Sequence, residues 1–226
     1  MNRLKISLIL NIINVVFVAF ATFSMVTGFY FMGDDVSLQL EGFSAFQFFT
    51  FDSNLLLGIV SIAFIVYEIL ILMKKFDKIP HILYLLKYVS TIAVSLTMLT
   101  VIIFLSPQAD NYFILFKNSN LFFHLICPLM ALIAFDFFEK DNDIKFKDTV
   151  YGIAPTFLYG IYYTTNVLTH IEGGRVAPKY DWYGFAQGGT IGMILSVIIM
   201  LGATYLISVL VYLLNKKVLN KKWEEV

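Results

Sequence analysis

Four polar side chains, Thr50, Asp52, Ser53 and Asn54, crowd the head of a long apolar run, in Phe48-Phe49-Thr50-Phe51-Asp52-Ser53-Asn54-Leu55-Leu56-Leu57-Gly58. A polar group in hydrocarbon is costly unless paired, and an ionisable one marks a functional site by default. The clearest partner in the chain is His124, in Leu121-Phe122-Phe123-His124-Leu125-Ile126-Cys127-Pro128, the only histidine inside an apolar run. A hydroxyl beside a neutral imidazole is the minimal nucleophile–base pair: the ring accepts the proton as the oxygen attacks a carbonyl. Thr50 is the candidate nucleophile and His124 the candidate base. Asp52 lies to the side of the Thr50 face and orients the ring only loosely. A plainer use of the same residues is structural, with Asn54 and Ser53 as interhelical glue and His124 as a satisfied core residue.

The elements that must position these residues are membrane spans. The chain has 226 residues, of which 59% are hydrophobic and only 14% charged, too few charges to cover a soluble domain. In a bilayer only helices or a closed barrel satisfy the backbone, and apolar runs of this length without in/out alternation are helices. The expected fold is therefore all-α: one compact bundle of six transmembrane helices over residues 1–226, with short loops and no second domain. The spans run from about Ile6 to Tyr30, Phe46 to Met73, Ile82 to Leu105, Leu121 to Phe138, Thr149 to Leu168 and Phe185 to Leu214. A short interfacial piece, Tyr112 to Phe116, leads into the fourth.

With the N-terminus inside, the cytoplasmic side carries Arg3, Lys5, Lys74, Lys75, Lys78, Lys87, Lys140, Lys145, Lys147, Lys216, Lys217, Lys221 and Lys222. The outer side carries Lys117, Arg175 and Lys179. This asymmetry obeys the positive-inside rule and places both termini in the cytoplasm, for a protein of the cell membrane. The N-terminal Arg3-Leu4-Lys5, with Ala19-Phe20-Ala21 further on, has the parts of a cleaved signal peptide. The apolar run continues to about Phe31, too long for such a segment, so the first span is expected to be retained.

At 100° per residue Thr50, Asn54, Gly58, Ser61 and Glu68 fall along one face of the second span, which should turn inward. Ser53 lies near that face. Thr50 sits on the order of 6 Å below the start of its span and His124 on the order of 5 Å below the start of its own, at 1.5 Å per residue. The two share a layer. Pro128 frees a backbone carbonyl one turn from His124. Tyr159, Tyr163 and Asn166, at helical spacing in the fifth span, are candidates to hold an oxyanion or a headgroup, or else belong to an interfacial aromatic belt. Tyr180-Asp181-Trp182-Tyr183-Gly184 reads as a further aromatic anchor. Glu68 lies within two turns of Lys74 and Lys75 and reads as an inner-interface residue, and Gly184, Gly188 and Gly192 as a close-packing stripe.

One cysteine, Cys127, leaves no intramolecular disulfide and no Cys-rich metal site, and zero net charge argues against nucleic acid. The chain has no G-x-S-x-G elbow, Walker loop, G-x-G-x-x-G, H-E-x-x-H or EF-hand, so no cofactor and no metal are expected.

Phe49-Thr50-Phe51-Asp52-Ser53-Asn54-Leu55-Leu56 resembles the F-T-x-x-S-N-L signature of the bacterial Pr6Pr family of small multi-span membrane proteins. His124-Leu125-Ile126-Cys127-Pro128, followed by Asp136, resembles that family's H-x-x-x-P signature with an aspartate at the end of the same span. Tyr151, Pro155 and Tyr159 fit its tyrosine- and proline-bearing helix. The Pr6Pr family is distantly similar to the androgen-induced-gene (FAR-17a-like) membrane proteins, which hydrolyse fatty-acid esters of hydroxy fatty acids with an intramembrane threonine and histidine. The resemblance thus implies an intramembrane lipid-ester hydrolase with Thr50 and His124 catalytic, and Asn54, Ser53, Tyr159 and Tyr163 around the substrate. The alternative is a non-enzymatic multi-span protein that binds a lipid or other amphipathic ligand. A small transporter is weaker, since no inverted repeat or pair of broken helices is visible.

Overall fold

The computed structural model describes residues 3–33, 42–139, 144–173 and 175–220. Lys140, Lys221 and Lys222 of the charge count lie outside them. Six main helical elements follow one another: α1 (Arg3–Thr27), α2 (Phe49–Leu72), α3 (His81–Gln108), α4 (Ser119–Phe138), α5 (Ala154–Thr169) and α6 (Gly189–Asn220). Five of them, α1 to α4 and α6 with the turn Phe185–Gly188 ahead of it, are long and apolar enough to cross a membrane, the architecture of a multi-pass membrane protein.

The expected fifth span is divided. A 3-10 stretch, Phe146–Ile153, precedes the 16 residues of α5, and Pro155 stands in its first turn, where its missing N–H costs nothing. Two short strands, β1 (Ile171–Glu172) and β2 (Arg175–Val176), pair antiparallel between α5 and α6. Tyr112–Phe116 is a short 3-10 helix capped by Asn111, whose side chain accepts from Phe113 N at 3.0 Å.

α3 is the central element, with 67% of its apolar window buried against 22 to 44% for the other four. Polar side chains tie the helices to it. Tyr88 donates to the Ser208 carbonyl on α6 at 2.6 Å, and the Ser208 hydroxyl donates to the Thr149 carbonyl at 2.6 Å. Where helices share apolar faces, such bonds and close backbone approach supply the association. Gly58 of α2 is one such approach: a Cβ there would meet Val18 Cγ1 of α1 at 2.9 Å. Gly152 is another, against Ser208 and Ile92. The stripe at the head of α6 is not one. A Cβ on Gly188 would meet nothing within 4 Å, and one on Gly192 only the Phe185 carbonyl at 3.7 Å.

α4 is irregular where it carries polar residues. Phe122–Ile126 and Ala134–Phe138 are wound as wider π turns on either side of the α-helical Cys127–Ile133. Pro128 has no N–H for the His124 carbonyl, and a widened turn absorbs that lost bond. Such turns often mark functional positions, and these two contain His124 and Asp136.

Candidate functional site

The polar face of α2 turns inward. Ser53, Asn54, Ser61 and Glu68 are all buried, and each contacts a different neighbour along the helix. Ser53 Oγ lies 3.3 Å from Thr97 Oγ1 of α3, and Asn54 Nδ2 donates to the Phe123 carbonyl of α4 at 3.1 Å and to the Thr50 carbonyl at 2.8 Å. Asn54 therefore ties the turn that holds Thr50 to the residue preceding His124. The edge-on packing of Phe51 against Phe123, centroids 5.9 Å apart, keeps the two helix heads at one level.

His124 is 5% exposed, and its Nδ1 lies 2.6 Å from the Leu115 carbonyl. A carbonyl only accepts, so Nδ1 carries the hydrogen and Nε2 is left with a lone pair. The Phe116 ring stands edge-on to the imidazole at 6.4 Å. Thr50 is half-buried, and among the described residues no hydrogen bond joins its hydroxyl to His124. The two residues share a layer without a direct bond.

The tyrosines serve a second group. Tyr163 donates to the Asp181 carboxylate, whose other oxygen accepts from Ala186 N at 3.1 Å. Tyr159 donates to the Gln47 carbonyl and accepts from Trp182 Nε1 at 3.0 Å, and Asn166 holds the Tyr180 carbonyl at 2.7 Å. Tyr183 receives Phe49 N at 3.1 Å, and burial pushes its hydroxyl up to about 12. These bonds fasten the segment before α6 across the heads of α2 and α5. Tyr159 and Tyr162 also face a cavity of about 250 Å³, bounded on the α2 side by Phe49, Asp52, Ser53 and Leu56. Asp52 belongs to this cavity rather than to the His124 layer.

At the other end of the bundle lies a buried group that includes two residues expected at the inner interface, Lys87 and Glu68. Lys87 and Glu68 are fully buried, and Glu139 is 3% exposed. Lys87 is not at the membrane edge, and Glu68 does not reach out toward Lys74 and Lys75. Lys87 Nζ donates to Ser61 Oγ at 2.8 Å and to Asn11 Oδ1, and lies 3.6 Å from Glu139 Oε1. Ser7 donates to Glu68, while Asn11 Nδ2 donates to Glu139 Oε1 at 3.1 Å and to Glu68 Oε2 at 3.4 Å. A signal for this cluster exists in the sequence. Counted at 1.5 Å per residue from the nearer helix end, Asn11, Glu68 and Lys87 each lie on the order of 6 to 12 Å deep.

In comparisons with protein-family models, curated proteins and solved structures, the chain matches none.

Proposed function

We propose that the protein is an intramembrane hydrolase of lipid or fatty-acid esters, with Thr50 as nucleophile and His124 as general base. It crosses the cell membrane six times, with α5 and its 3-10 lead as the fifth crossing and both termini cytoplasmic, as the basic residues require. The observation that carries the reading is the His124 tautomer. The Leu115 carbonyl holds the hydrogen on Nδ1 and leaves the Nε2 lone pair free, in the layer that Asn54 ties to the Thr50 turn.

In the reaction Thr50 Oγ attacks the ester carbonyl while its proton passes to Nε2. The alcohol leaves with that proton, and water, deprotonated by the same nitrogen, releases the fatty acid from Thr50. Ser53 and Asn54 hold the Thr50 turn, Tyr159 shapes the neighbouring wall, and Tyr163 supports it from behind through Asp181. The two motifs that resemble the Pr6Pr family supply the same assignment by a separate route. Labelling with an acyl-chain fluorophosphonate tests it: wild-type protein should gain one adduct on Thr50, and Thr50→Ala and His124→Ala should gain none. Labelling that persists in both variants would exclude the pair.

A second function, binding of an amphipathic ligand without turnover, is favoured by the cavity between α2 and α5. Its walls are aromatic and aliphatic apart from Asp52, Ser53 and the two tyrosine hydroxyls, and the Asp52 carboxyl has no hydrogen-bond partner among the described residues. An apolar pocket with a few convergent polar groups is the usual form of a ligand site. Protection of the wild-type fold by a lipid, lost in Leu56→Trp, together with no ester hydrolysis by the wild type, would assign the protein to binding alone.

A further inference from the structure

The Lys87 cluster has an unbalanced charge. The Lys87 ammonium has three N–H donors and three acceptors around it, Asn11 Oδ1, Ser61 Oγ and Glu139 Oε1, so its positive charge is fully accommodated. The Phe64 ring, its centroid 5.3 Å from Nζ, adds a further favourable contact. Two carboxyl groups face this one cation. Glu68 receives Ser7 on one oxygen and Asn11 on the other. Glu139 Oε1 accepts from Asn11 and lies 3.6 Å from the Lys87 ammonium, while its Oε2 is buried with no donor among the described residues. If both carboxyls are ionised the cluster carries one uncompensated negative charge in a low-dielectric interior, and it rests on a bare oxygen. Buried charges persist in that setting only when paired.

We propose that the junction of α1, α2, α3 and α4 is a proton-binding site, in which Glu139 and Glu68 share one exchangeable proton opposite the Lys87 ammonium. The proton is taken up at Glu139 Oε2, the oxygen without a donor, and brings the cluster to neutrality. A metal ion is the poorer occupant, because the ammonium already fills the position among the acceptors. No group of three His, Cys, Asp or Glu able to hold a metal occurs among the described residues.

The groups that face the site are few. From α1 come Ser7 and Asn11, from α2 Ser61 and Glu68, from α3 Lys87, and at the end of α4 Asp136 and Glu139. Asp136 is buried one turn before Glu139 and repels its negative charge, which strengthens the case for a bound proton. Loss of the proton sets Glu68, Glu139 and Asp136 against one another and loads the contacts between α1 and α4. The site is independent of Thr50, at the opposite end of α2, and of His124, near the start of α4.

Infrared difference spectroscopy of the full chain in phosphatidylcholine nanodiscs, taken between neutral and alkaline buffer, tests the proposal. Wild-type protein should show a protonated carboxylic-acid band that disappears on alkalinisation. Glu139→Gln and Glu68→Gln should each lose the intensity of one titrating acid, because either change leaves one carboxylate balanced by one ammonium. The same losses should appear in an Asp136→Asn background, which separates the cluster from its neighbour. A wild-type spectrum without a carboxylic-acid band would overturn the site. So would a band that survives both Gln changes, one lost only in Glu139→Gln, or one displaced by sodium at constant pH.

Discussion

The Lys87 ammonium and the Glu139 carboxyl group lie 3.6 Å apart with their side chains 0% and 1% exposed. Asn11 completes the arrangement, accepting from the lysine and donating to the carboxylate. Removing one partner of a buried pair leaves the other uncompensated, at about 3 to 5 kcal/mol. Lys87→Met should therefore lower stability by that amount in a detergent unfolding titration. A loss below about 1 kcal/mol would place the pair in contact with water.

Gly58 of α2 lies against Val18 of α1, where an added Cβ would meet Val18 Cγ1 at 2.9 Å. A β-branched side chain at this position overpacks the contact, and Gly58→Val should cost about 1 to 3 kcal/mol. Val18→Ala in the same chain should recover most of the loss, since the conflict is with Val18 Cγ1. Thermal unfolding of the two single variants and the double variant checks this, and strict additivity would locate the strain elsewhere.

Tyr183 gives the segment before α6 a dependence on alkaline pH. Burial raises its hydroxyl from 10.0 to about 12, so the folded state favours the neutral phenol. The stability it contributes is complete below pH 10.0 and is lost as pH rises towards about 12. Tyr183→Phe should remove that part of the alkaline loss, as read by Trp182 fluorescence. An unchanged profile would show that Tyr183 is already solvated.

Asn54 bridges the α2 and α4 heads through one amide. Asn54→Leu should cost about 0.6 to 1.7 kcal/mol, the range for interhelical bonds in membranes. It should also lower ester hydrolysis more than Ser53→Ala does, since only Asn54 reaches α4. Equal effects of the two changes on turnover would remove the bridge from the site.

Much of this organisation is legible in the sequence. Apolar run lengths locate the five long helices to within a few residues, and the 100° spacing of Thr50, Asn54, Gly58, Ser61 and Glu68 points α2 inward, with all but the half-buried Thr50 fully buried, because both signals are local. The division of the fifth run was less visible, although Pro155 marks where the α-helix starts. The Lys87 cluster was missed because the positive-inside rule assigns a lysine near a span end to the cytoplasm without asking which way it points. The partners of Lys87 come from three other elements, and only the packing of α1, α2 and the end of α4 around α3 brings Ser7, Asn11, Glu68 and Glu139 to one lysine. The position of Asp52 was equally a matter of packing, set by how α5 lies beside α2.

The most direct measurement is hydrolysis of a long-chain acyl ester by purified protein, comparing wild type with Thr50→Ala, Thr50→Ser and His124→Ala of matched thermal stability. Thr50→Ala and His124→Ala should each lose turnover by about 100-fold or more, and Thr50→Ser, which keeps the hydroxyl, should retain it. Wild-type rates in Thr50→Ala and His124→Ala, or no hydrolysis by the wild type, would contradict the assignment.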